Sequence, residues 1–187
     1  MNREVAERAV RDLLVALDQD VNSEGMRDTP QRVAEMFIAQ CTEKDAEIDR
    51  IFVEEHFEGM VIVRNIPFVG MCSHHIVFFT GRAHVGYIPK KKVLGLSKLA
   101  RLVYSCCVGL TTQEYVTAKV ANSVFNSDDI GCLGCMVILE AEHGCMSLRG
   151  AKAQGASTVT SEVRGVFRDV PAARSEFLSL VLKGGPR

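Results

Sequence analysis

Residues 72–88 have the sequence CSHHIVFFTGRAHVGYI, which combines a cluster of metal-binding side chains with two apolar runs. The runs, residues 76–79 and 83–88, are separated by Thr80-Gly81, and this pattern predicts a β-hairpin. The chain before the cluster also has β character, since residues 51–67 are centred on the apolar run Met60-Val61-Ile62-Val63. We therefore expect antiparallel strands around this stretch.

Helices are predicted on both sides of these strands. Residues 3–18 have an apolar stripe at helical spacing, and Asp28-Thr29-Pro30 supplies a cap and an early proline for a second helix. Further helices are expected at 95–107, 112–126 and 171–182, and further strands at 133–141, 145–149 and 158–167. Blocks of helices between antiparallel pairs are typical of an α+β fold. We expect a helical region over residues 1–50 and one larger unit over residues 51–187.

The composition is that of an ordinary globular protein. Of the 187 residues 47% are apolar and 24% are charged, and 22 Lys and Arg nearly balance 23 Asp and Glu, for a net charge of −1. This balance argues against a broad nucleic-acid-binding surface, and no apolar run approaches the ~18 residues of a membrane span. The charged N-terminus does not resemble a signal peptide. We therefore expect a cytoplasmic protein whose seven cysteines are reduced, with no nucleic-acid or membrane partner.

The cluster at the start of the quoted stretch contains two candidate metal ligands. Cys72 and His75 lie three residues apart in a predicted turn, where both side chains can point at one ion. Zn²⁺ accepts thiolate and imidazole ligands, and Cys145, at another predicted turn beside His143, is the best candidate for a third ligand. A Cys₂His set leaves a fourth position for water, as in catalytic zinc sites. Alternatively, His74 and His75 belong to an ordinary loop and Cys145 packs in the core, and spacing alone leaves both interpretations open.

The other cysteines are interpreted as structural. Cys132 and Cys135 form a CxxC motif, which is typical of zinc knuckles and redox turns. The motif runs directly into the apolar residues 136–139, and within a strand residues three apart face opposite sides and cannot share an ion. Cys106 and Cys107 lie late in a predicted helix, where we expect them to pack in the core.

A second candidate site lies at the start of the third predicted helix, where residues 95–101 have the sequence GLSKLAR. Free backbone N–H groups and the positive end of the helix dipole favour an anion there. Ser97 can donate from its hydroxyl, Lys98 supplies a charge, and Arg101 can bind a phosphate through two N–H groups. Arg149, four residues after the third candidate ligand, could add another cation. The alternative is a capped helix with a solvated basic face.

These motifs resemble those of a known enzyme family. Six of them occur in the order and spacing of GTP cyclohydrolase I, namely Cys-x-His-His, Gly-Tyr-Ile-Pro, Gly-Leu-Ser-Lys-Leu-Ala-Arg, Gln-Glu, His-x-Cys and Arg-Gly. The resemblance extends from Asp28 to Leu178. It implies a tunnelling fold (T-fold), in which an antiparallel sheet carries helices on one face after an N-terminal helical region. It also implies a homodecamer with active sites between neighbouring subunits, and zinc-dependent hydrolysis of GTP to 7,8-dihydroneopterin triphosphate and formate.

The resemblance also implies roles for individual residues. The implied zinc ligands are Cys72, His75 and Cys145. The implied proton-transfer groups are His74 and His143. The residues that match triphosphate and ribose contacts are Ser97, Lys98, Arg101 and Arg149, together with Arg32, which matches an arginine contributed by a neighbouring subunit. The residues that match the guanine-binding positions are Gln113 and Glu114.

The implied roles suit the chemistry of the reaction. Purine C8 is a poor electrophile until N7 is protonated, which calls for a general acid beside the base, and His143 suits that role. Zinc lowers the pKa of bound water towards ~7 and so supplies the nucleophile. Opening of the imidazole ring gives a formamide, a second hydrolysis expels formate, and His74 is placed to move protons during rearrangement of the ribose. Guanine presents N1–H and its 2-amino group as adjacent donors, which the carboxylate of Glu114 can accept together.

The sequence departs from the family pattern at three places. Ser73 stands where the family usually has glutamate, residues 106–109 replace a segment that is usually polar and basic, and Tyr115 stands where arginine is usual. None of these departures removes an implied ligand or catalytic residue.

Two rival interpretations remain. The first is another T-fold enzyme acting on a purine-like base, such as a deazaguanine nitrile reductase, which would use a nucleophilic cysteine without zinc. The second is a catalytically silent paralogue that binds nucleotide or a partner protein. The sequence also leaves open whether the product feeds folate, tetrahydrobiopterin or deazapurine synthesis, and whether a regulatory protein binds.

Overall fold

The computed structural model describes residues 1–42, 51–52, 57–128 and 130–182. Its elements in chain order are α1 (Arg3–Ala16), α2 (Thr29–Cys41), β1 (Ile51–Phe52), β2 (Val61–Cys72), β3 (Phe78–Ile88), β4 (Val93–Leu94), α3 (Leu96–Cys106), β5 (Leu110–Thr111), α4 (Gln113–Phe125), β6 (Gly134–His143), α5 (Gly144–Ser147), β7 (Ser157–Gly165), α6 (Val166–Asp169) and α7 (Pro171–Leu182). The mixture of helices with a largely antiparallel sheet confirms the predicted α+β class.

The chain divides into two compact units, Met1–Glu43 and Lys44–Arg187. The predicted boundary at residue 50 falls at the end of residues 43–50, which lie outside the described residues, so its position stays a prediction.

The N-terminal unit consists of α1 and α2, as the apolar spacing predicts. The side chain of Asn2 caps α1 by accepting a hydrogen bond from the backbone N–H of Val5 at 3.1 Å. Pro30 lies in the first turn of α2, where its missing N–H would have no partner within the helix. An ion pair between Arg3 and Glu35 joins the two helices.

The larger unit is built on a five-stranded sheet in the order β5-β2-β3-β6-β7. The pairs β2–β3, β3–β6 and β6–β7 are antiparallel, while the short β5 pairs in parallel with the end of β2. Strands β1 and β4 form a separate antiparallel pair. The antiparallel arrangement predicted from the quoted stretch is therefore confirmed.

The predicted hairpin turn at Thr80-Gly81 is wrong, because β3 runs without interruption through both residues. Gly81 is paired with Phe68 on one side and with Ala141 on the other. A Cβ at this position would lie only 2.0 Å from the backbone oxygen of Glu140. The glycine therefore permits close approach of a neighbouring strand rather than a turn, which is its other common use within a sheet.

The strand predicted at residues 145–149 is also wrong. β6 ends at His143, whose partner Phe79 is the second residue of β3. A longer β6 would soon extend past the end of its partner strand and lose its ladder hydrogen bonds. The chain instead forms the single-turn helix α5, in which the Leu148 N–H donates to the Gly144 carbonyl at 2.9 Å.

The main core lies between one face of the sheet and the helices α3 and α4. It contains the fully buried side chains Val85, Leu99, Val103, Val116, Val120 and Leu139. A smaller cluster, formed by Met136, Phe167, Phe177 and Val181, lies on the other side of β6, because successive residues of a strand face opposite sides. The hydroxyl of the buried Tyr87 accepts a hydrogen bond from the backbone N–H of Leu94 at 2.8 Å and so ties β4 to this core.

No helix in the described part of the chain has both the length and the apolar character needed to cross a bilayer.

Candidate metal centre and its surroundings

Three candidate ligands converge where β2 ends, β3 begins and β6 ends. Cys72 is the last residue of β2, His75 lies in the turn before β3, and Cys145 lies in α5 just beyond β6. The ligand atoms of these three residues all lie within 4.8 Å of one another. The central strand β3 pairs with both β2 and β6, and this pairing brings Cys145 to two ligands that lie at least 70 residues earlier in the sequence.

The turn that carries His75 is held by backbone hydrogen bonds. The Cys72 N–H donates to the Val77 carbonyl and the Ile76 N–H donates to the Cys72 carbonyl, both at 2.9 Å. The Ser73 N–H donates to the Thr111 carbonyl at 3.0 Å, which links the turn to β5. Ile76 has a φ of +54°, a left-handed conformation that costs a β-branched residue free energy. The turn is thus a defined structure, held in spite of an unfavourable residue.

The chemistry of the three side chains fits zinc. Two thiols and an imidazole form the Cys₂His donor set of a site with an open fourth position. Burial raises the pKa of the Cys145 thiol, and the neighbouring Cys72 raises it further. A bound dication would offset both effects, since it stabilises adjacent thiolates. Arg149 Nη1 lies 2.6 Å from Nε2 of His75, and because a guanidinium cannot accept, Nε2 is the acceptor of this hydrogen bond.

His74 lies outside this group of three. Its Nδ1 is 3.7 Å from the sulfur of Cys72, and its ring centroid is 6.5 Å from that of His75. His74 is exposed to solvent at the turn. The structure therefore places it beside the candidate metal centre, with a ring that a ligand can reach.

His143 is held in a defined orientation beside the centre. Its ring stacks on Phe79 with centroids 4.7 Å apart and an interplanar angle of 5°, because the two residues are paired between β3 and β6. Its Nε2 lies 2.7 Å from Oε1 of Gln113, the first residue of α4. Burial lowers the pKa of His143, while the nearby carboxylate of Glu114 acts in the opposite direction.

The two residues that match guanine-binding positions differ in their surroundings. Glu114 is exposed in the first turn of α4. Gln113 is fully buried, and its side chain is hydrogen-bonded within the protein.

The candidate anion-binding residues lie on several elements. Ser97, Lys98 and Arg101 occupy the first turns of α3, where Ser97 and Arg101 are exposed and Lys98 is 8% exposed. α3 packs against β2 and α4, the elements that carry Cys72 and Glu114. Arg32 belongs to the N-terminal unit, where its Nη2 donates to the Gly25 carbonyl at 3.3 Å and to the Thr29 hydroxyl at 2.9 Å.

The remaining cysteines form no further group of three metal-binding side chains within the described ranges. Cys106 and Cys107 are buried in the main core, as expected. The strand does not include both Cys132 and Cys135, because β6 begins only at Gly134, so the argument that residues three apart in a strand face opposite sides does not apply to them. The two side chains are close enough for the Cys135 thiol to hydrogen-bond to Cys132, which lowers the pKa of Cys132.

Two features next to the site escape the sequence analysis. Phe79 is visible only as an apolar strand residue, because the wrongly placed turn hid its register with His143. Thr158 and Thr160, which contact the side chain of Gln113, occupy a strand with no distinctive motif. Only the pairing of β6 with β7 could have indicated them.

Known proteins are similar to this chain over nearly its full length. The sequence model of the family described as "GTP cyclohydrolase I" matches residues 6–182. The protein named "GTP cyclohydrolase 1" of Bacillus subtilis (strain 168) is 46% identical over 182 residues, or 95% of each chain. Its namesake in Geobacillus sp. (strain WCH70) is 47% identical over 186 residues, or 97% of each chain. That of Carboxydothermus hydrogenoformans is 42% identical over 186 residues, which cover 97% of this chain and 95% of the relative.

Among solved structures, the one titled "Crystal structure of the archaeosine synthase QueF-Like in the apo form" aligns with a TM-score of 0.48 and 14% identity. The alignment covers 59% of this chain and 97% of that chain. Sequence similarity over 95% of the chain or more, at 42–47% identity, is far more specific. On that similarity and on the match to residues 6–182, the chain belongs to the GTP cyclohydrolase I family.

Proposed function

We propose that this protein hydrolyses GTP at C8 of the purine and releases formate and 7,8-dihydroneopterin triphosphate. The observation that carries the proposal is the group formed by Cys72, His75 and Cys145, whose ligand atoms lie within 4.8 Å of one another. Membership of the family supports GTP as the substrate. The complete Cys₂His set favours this function over a T-fold enzyme that uses a cysteine as its covalent nucleophile.

The metal in this proposal is zinc, held by the three residues of that group. When bound, it supplies Lewis acidity that makes water a nucleophile near neutral pH. Two histidines beside it transfer protons to and from the substrate. His143 donates a proton to N7, which makes C8 electrophilic, and its stacking on Phe79 keeps the ring in the orientation for this transfer. His74, exposed beside the centre, moves protons during rearrangement of the ribose.

Substrate recognition divides between the base and the triphosphate. Glu114 is exposed close to His143, so we assign to its carboxylate the N1–H and 2-amino donors of guanine. The triphosphate carries negative charge and needs cations and hydroxyl donors. We assign to this role the residues Ser97, Lys98, Arg101 and Arg149.

The proposal includes a homodecamer with active sites between neighbouring subunits. Arg32 would then reach the site of an adjacent subunit, as the family pattern implies. The edge strand β7 supports association, since within the described sheet it pairs with β6 on one side only, and a free edge can pair with another chain. A cytoplasmic location remains part of the proposal.

A direct assay tests the function. Zinc-replete protein is incubated with GTP, and formate and the fluorescent oxidised pterin are both measured. We expect the two products in equal amounts, and their loss on chelation of zinc. Binding of GTP without formate would indicate a silent paralogue, and formate production that survives complete zinc removal would contradict the metal assignment.

A second assay tests base recognition. ITP lacks the 2-amino donor of GTP, and ATP presents an acceptor at N1, so a site built on these hydrogen bonds should discriminate by up to ~10⁴-fold. Glu114→Ala should weaken GTP binding and narrow the difference between GTP and ITP, with zinc content unchanged. Glu176→Ala, which removes an exposed carboxylate from α7, is the matched control. An undiminished preference for GTP in Glu114→Ala would place guanine recognition elsewhere.

A further inference from the structure

The side chain of Gln113 is fully buried at the start of α4, although the residue matches a substrate-binding position. Its Nε2 lies 3.0 Å from the Leu139 carbonyl, 2.9 Å from the Thr158 carbonyl and 3.0 Å from the Thr160 hydroxyl. Its Oε1 lies 2.7 Å from Nε2 of His143. These contacts leave no part of the amide facing solvent, so its function has to be sought within the protein.

The orientation of this amide follows from its neighbours. Carbonyl oxygens only accept hydrogen bonds, so the nitrogen of Gln113 must face Leu139 and Thr158. Exchanging the two ends of the amide would bring its oxygen against two carbonyl oxygens, neither of which can donate to it. The oxygen of Gln113 therefore faces His143.

The neighbouring hydroxyls fix the direction of the remaining hydrogen bonds. The Thr117 hydroxyl donates to the backbone carbonyl of Gln113 at 2.7 Å, which uses its only proton. The Thr160 hydroxyl, 2.7 Å from that of Thr117, must then donate to it. Thr160 is left to accept from the amide nitrogen of Gln113, so every hydrogen bond of this network has one possible direction.

The consequence for His143 concerns which ring nitrogen carries the proton. Because Oε1 of Gln113 can only accept, Nε2 of His143 must be the donor. A neutral imidazole that is protonated at Nε2 has its lone pair on Nδ1. We infer that Gln113 is a positioning residue that holds His143 in the Nε2–H tautomer and leaves Nδ1 as the nitrogen that exchanges protons with the substrate. The first half of this inference is independent of the proposed function, and the second half rests on it.

The stack on Phe79 completes the restraint. The ring of His143 can still rotate in principle, but parallel contact at 4.7 Å fixes its plane. The hydrogen bond to Gln113 then fixes its direction within that plane. Together the two contacts present one nitrogen, Nδ1, to a ligand, and this nitrogen takes up a proton before it can donate one.

The tautomer can be measured directly by nitrogen NMR. Full-length, zinc-replete protein is labelled with ¹⁵N-histidine, which marks five residues, and the signals of His143 are identified by their absence from His143→Asn. In the neutral ring we expect a protonated Nε2 and an unprotonated Nδ1. A neutral His143 ring that is protonated at Nδ1 in the wild-type protein would overturn the inference, whatever any variant does.

Two variants show whether Gln113 is the cause. Gln113→Leu removes the oxygen that accepts from His143, so His143 should become a mixture of tautomers. The value of kcat should then fall by about 10- to 100-fold, which is part of the ~10²–10⁴-fold that a positioned acid–base group contributes. KM for GTP and the preference for GTP over ITP should change little. Thr160→Val removes a hydroxyl from the same network but leaves Oε1 opposite His143, and should keep the tautomer and most of kcat.

The results separate this inference from its rivals. An unchanged tautomer in Gln113→Leu, or an equal effect of Thr160→Val, would show that the environment as a whole and not Gln113 sets the state of His143. A raised KM with an unchanged kcat and a lost preference for GTP would instead make Gln113 a guanine-binding residue. Failure of the proposed function would appear differently, as wild-type protein that produces no formate while its His143 tautomer is as expected.

Discussion

Replacing Cys145 by serine tests the metal centre most directly. The hydroxyl of serine is a poor ligand for zinc compared with a thiolate, and only two of the three candidate ligands would remain. We expect the wild-type protein to hold about one zinc ion per chain and Cys145→Ser to hold almost none. The fold should persist, because the main core is built from apolar side chains of the sheet, α3 and α4.

The size of the effect on stability can be worked out from mass action. Free zinc at 100 times its dissociation constant stabilises the folded chain by about 2.7 kcal/mol. For a chain of 187 residues, each kcal/mol shifts Tm by roughly 2–4 °C. Zinc should therefore raise the Tm of the wild-type protein by about 5–11 °C at that concentration. Cys145→Ser should show almost none of this rise, while its Tm without zinc stays close to that of metal-free wild type.

The matched control is Cys135→Ser, the same substitution at a buried cysteine outside the metal group. It should keep its zinc and its zinc-dependent rise in Tm, even though a hydroxyl in the core lowers its overall stability. The assay measures metal content by mass spectrometry after dialysis, and Tm by calorimetry with and without zinc. Normal zinc content in Cys145→Ser, or equal loss in both variants, would refute the assignment of Cys145 as a ligand.

Three further predictions follow from buried groups. Tyr87→Phe removes the hydroxyl that accepts from the Leu94 N–H in β4 and should lower the free energy of unfolding by about 1–3 kcal/mol. Urea titration measures this change, and an unchanged midpoint would contradict the role of the hydroxyl. Burial lowers the pKa of His84, so below pH ~6.5 the unfolded chain takes up a proton that the folded chain resists, and stability falls. His84→Gln should flatten this acid-side decline, and an unaltered slope would count against it. Cys132 has a lowered pKa, whereas burial raises the pKa of Cys107 to about 12, so Cys132 should be alkylated first. Cys135→Ala removes the neighbouring thiol and should slow the alkylation of Cys132. Peptide mass mapping measures both rates.

Local pattern was enough to predict most elements of the fold. The helices α1, α2, α3, α4 and α7 all occur close to their predicted positions, because each combines helical apolar spacing with a start or stop signal. The two wrong elements both depend on distant partners. Gly81 resembles a turn residue until the strand on either side of it is known, and residues 145–149 resemble a strand until β3 ends beside them.

The site divides in the same way. Cys72 and His75 could be paired from their spacing alone, whereas the third ligand, Cys145, had to be chosen by judgement among the other cysteines. Its position is set by the pairing of β3 with β6, a contact that no local pattern contains. Its place at a predicted turn beside His143 favoured it, resemblance to the family implied the same residue, and the structure brings the three ligand atoms within 4.8 Å of one another.

Gln113 shows the limit of transferring a role by motif. The motif matches the residue to a guanine-binding position, whereas the surroundings of its amide are visible only in the structure, where the oxygen lies 2.7 Å from Nε2 of His143. Thr160 is paired with Leu139 between β7 and β6, so the register of two strands brings a carbonyl and a hydroxyl to the same side-chain nitrogen. The carbonyls of Leu139 and Thr158 on these strands direct the oxygen of Gln113 towards His143. A one-residue slip of β7 would direct Thr160 to the other face of the sheet and remove one of the acceptors that orient the amide. The protonation form of a histidine beside the metal centre is therefore set in part by strand register.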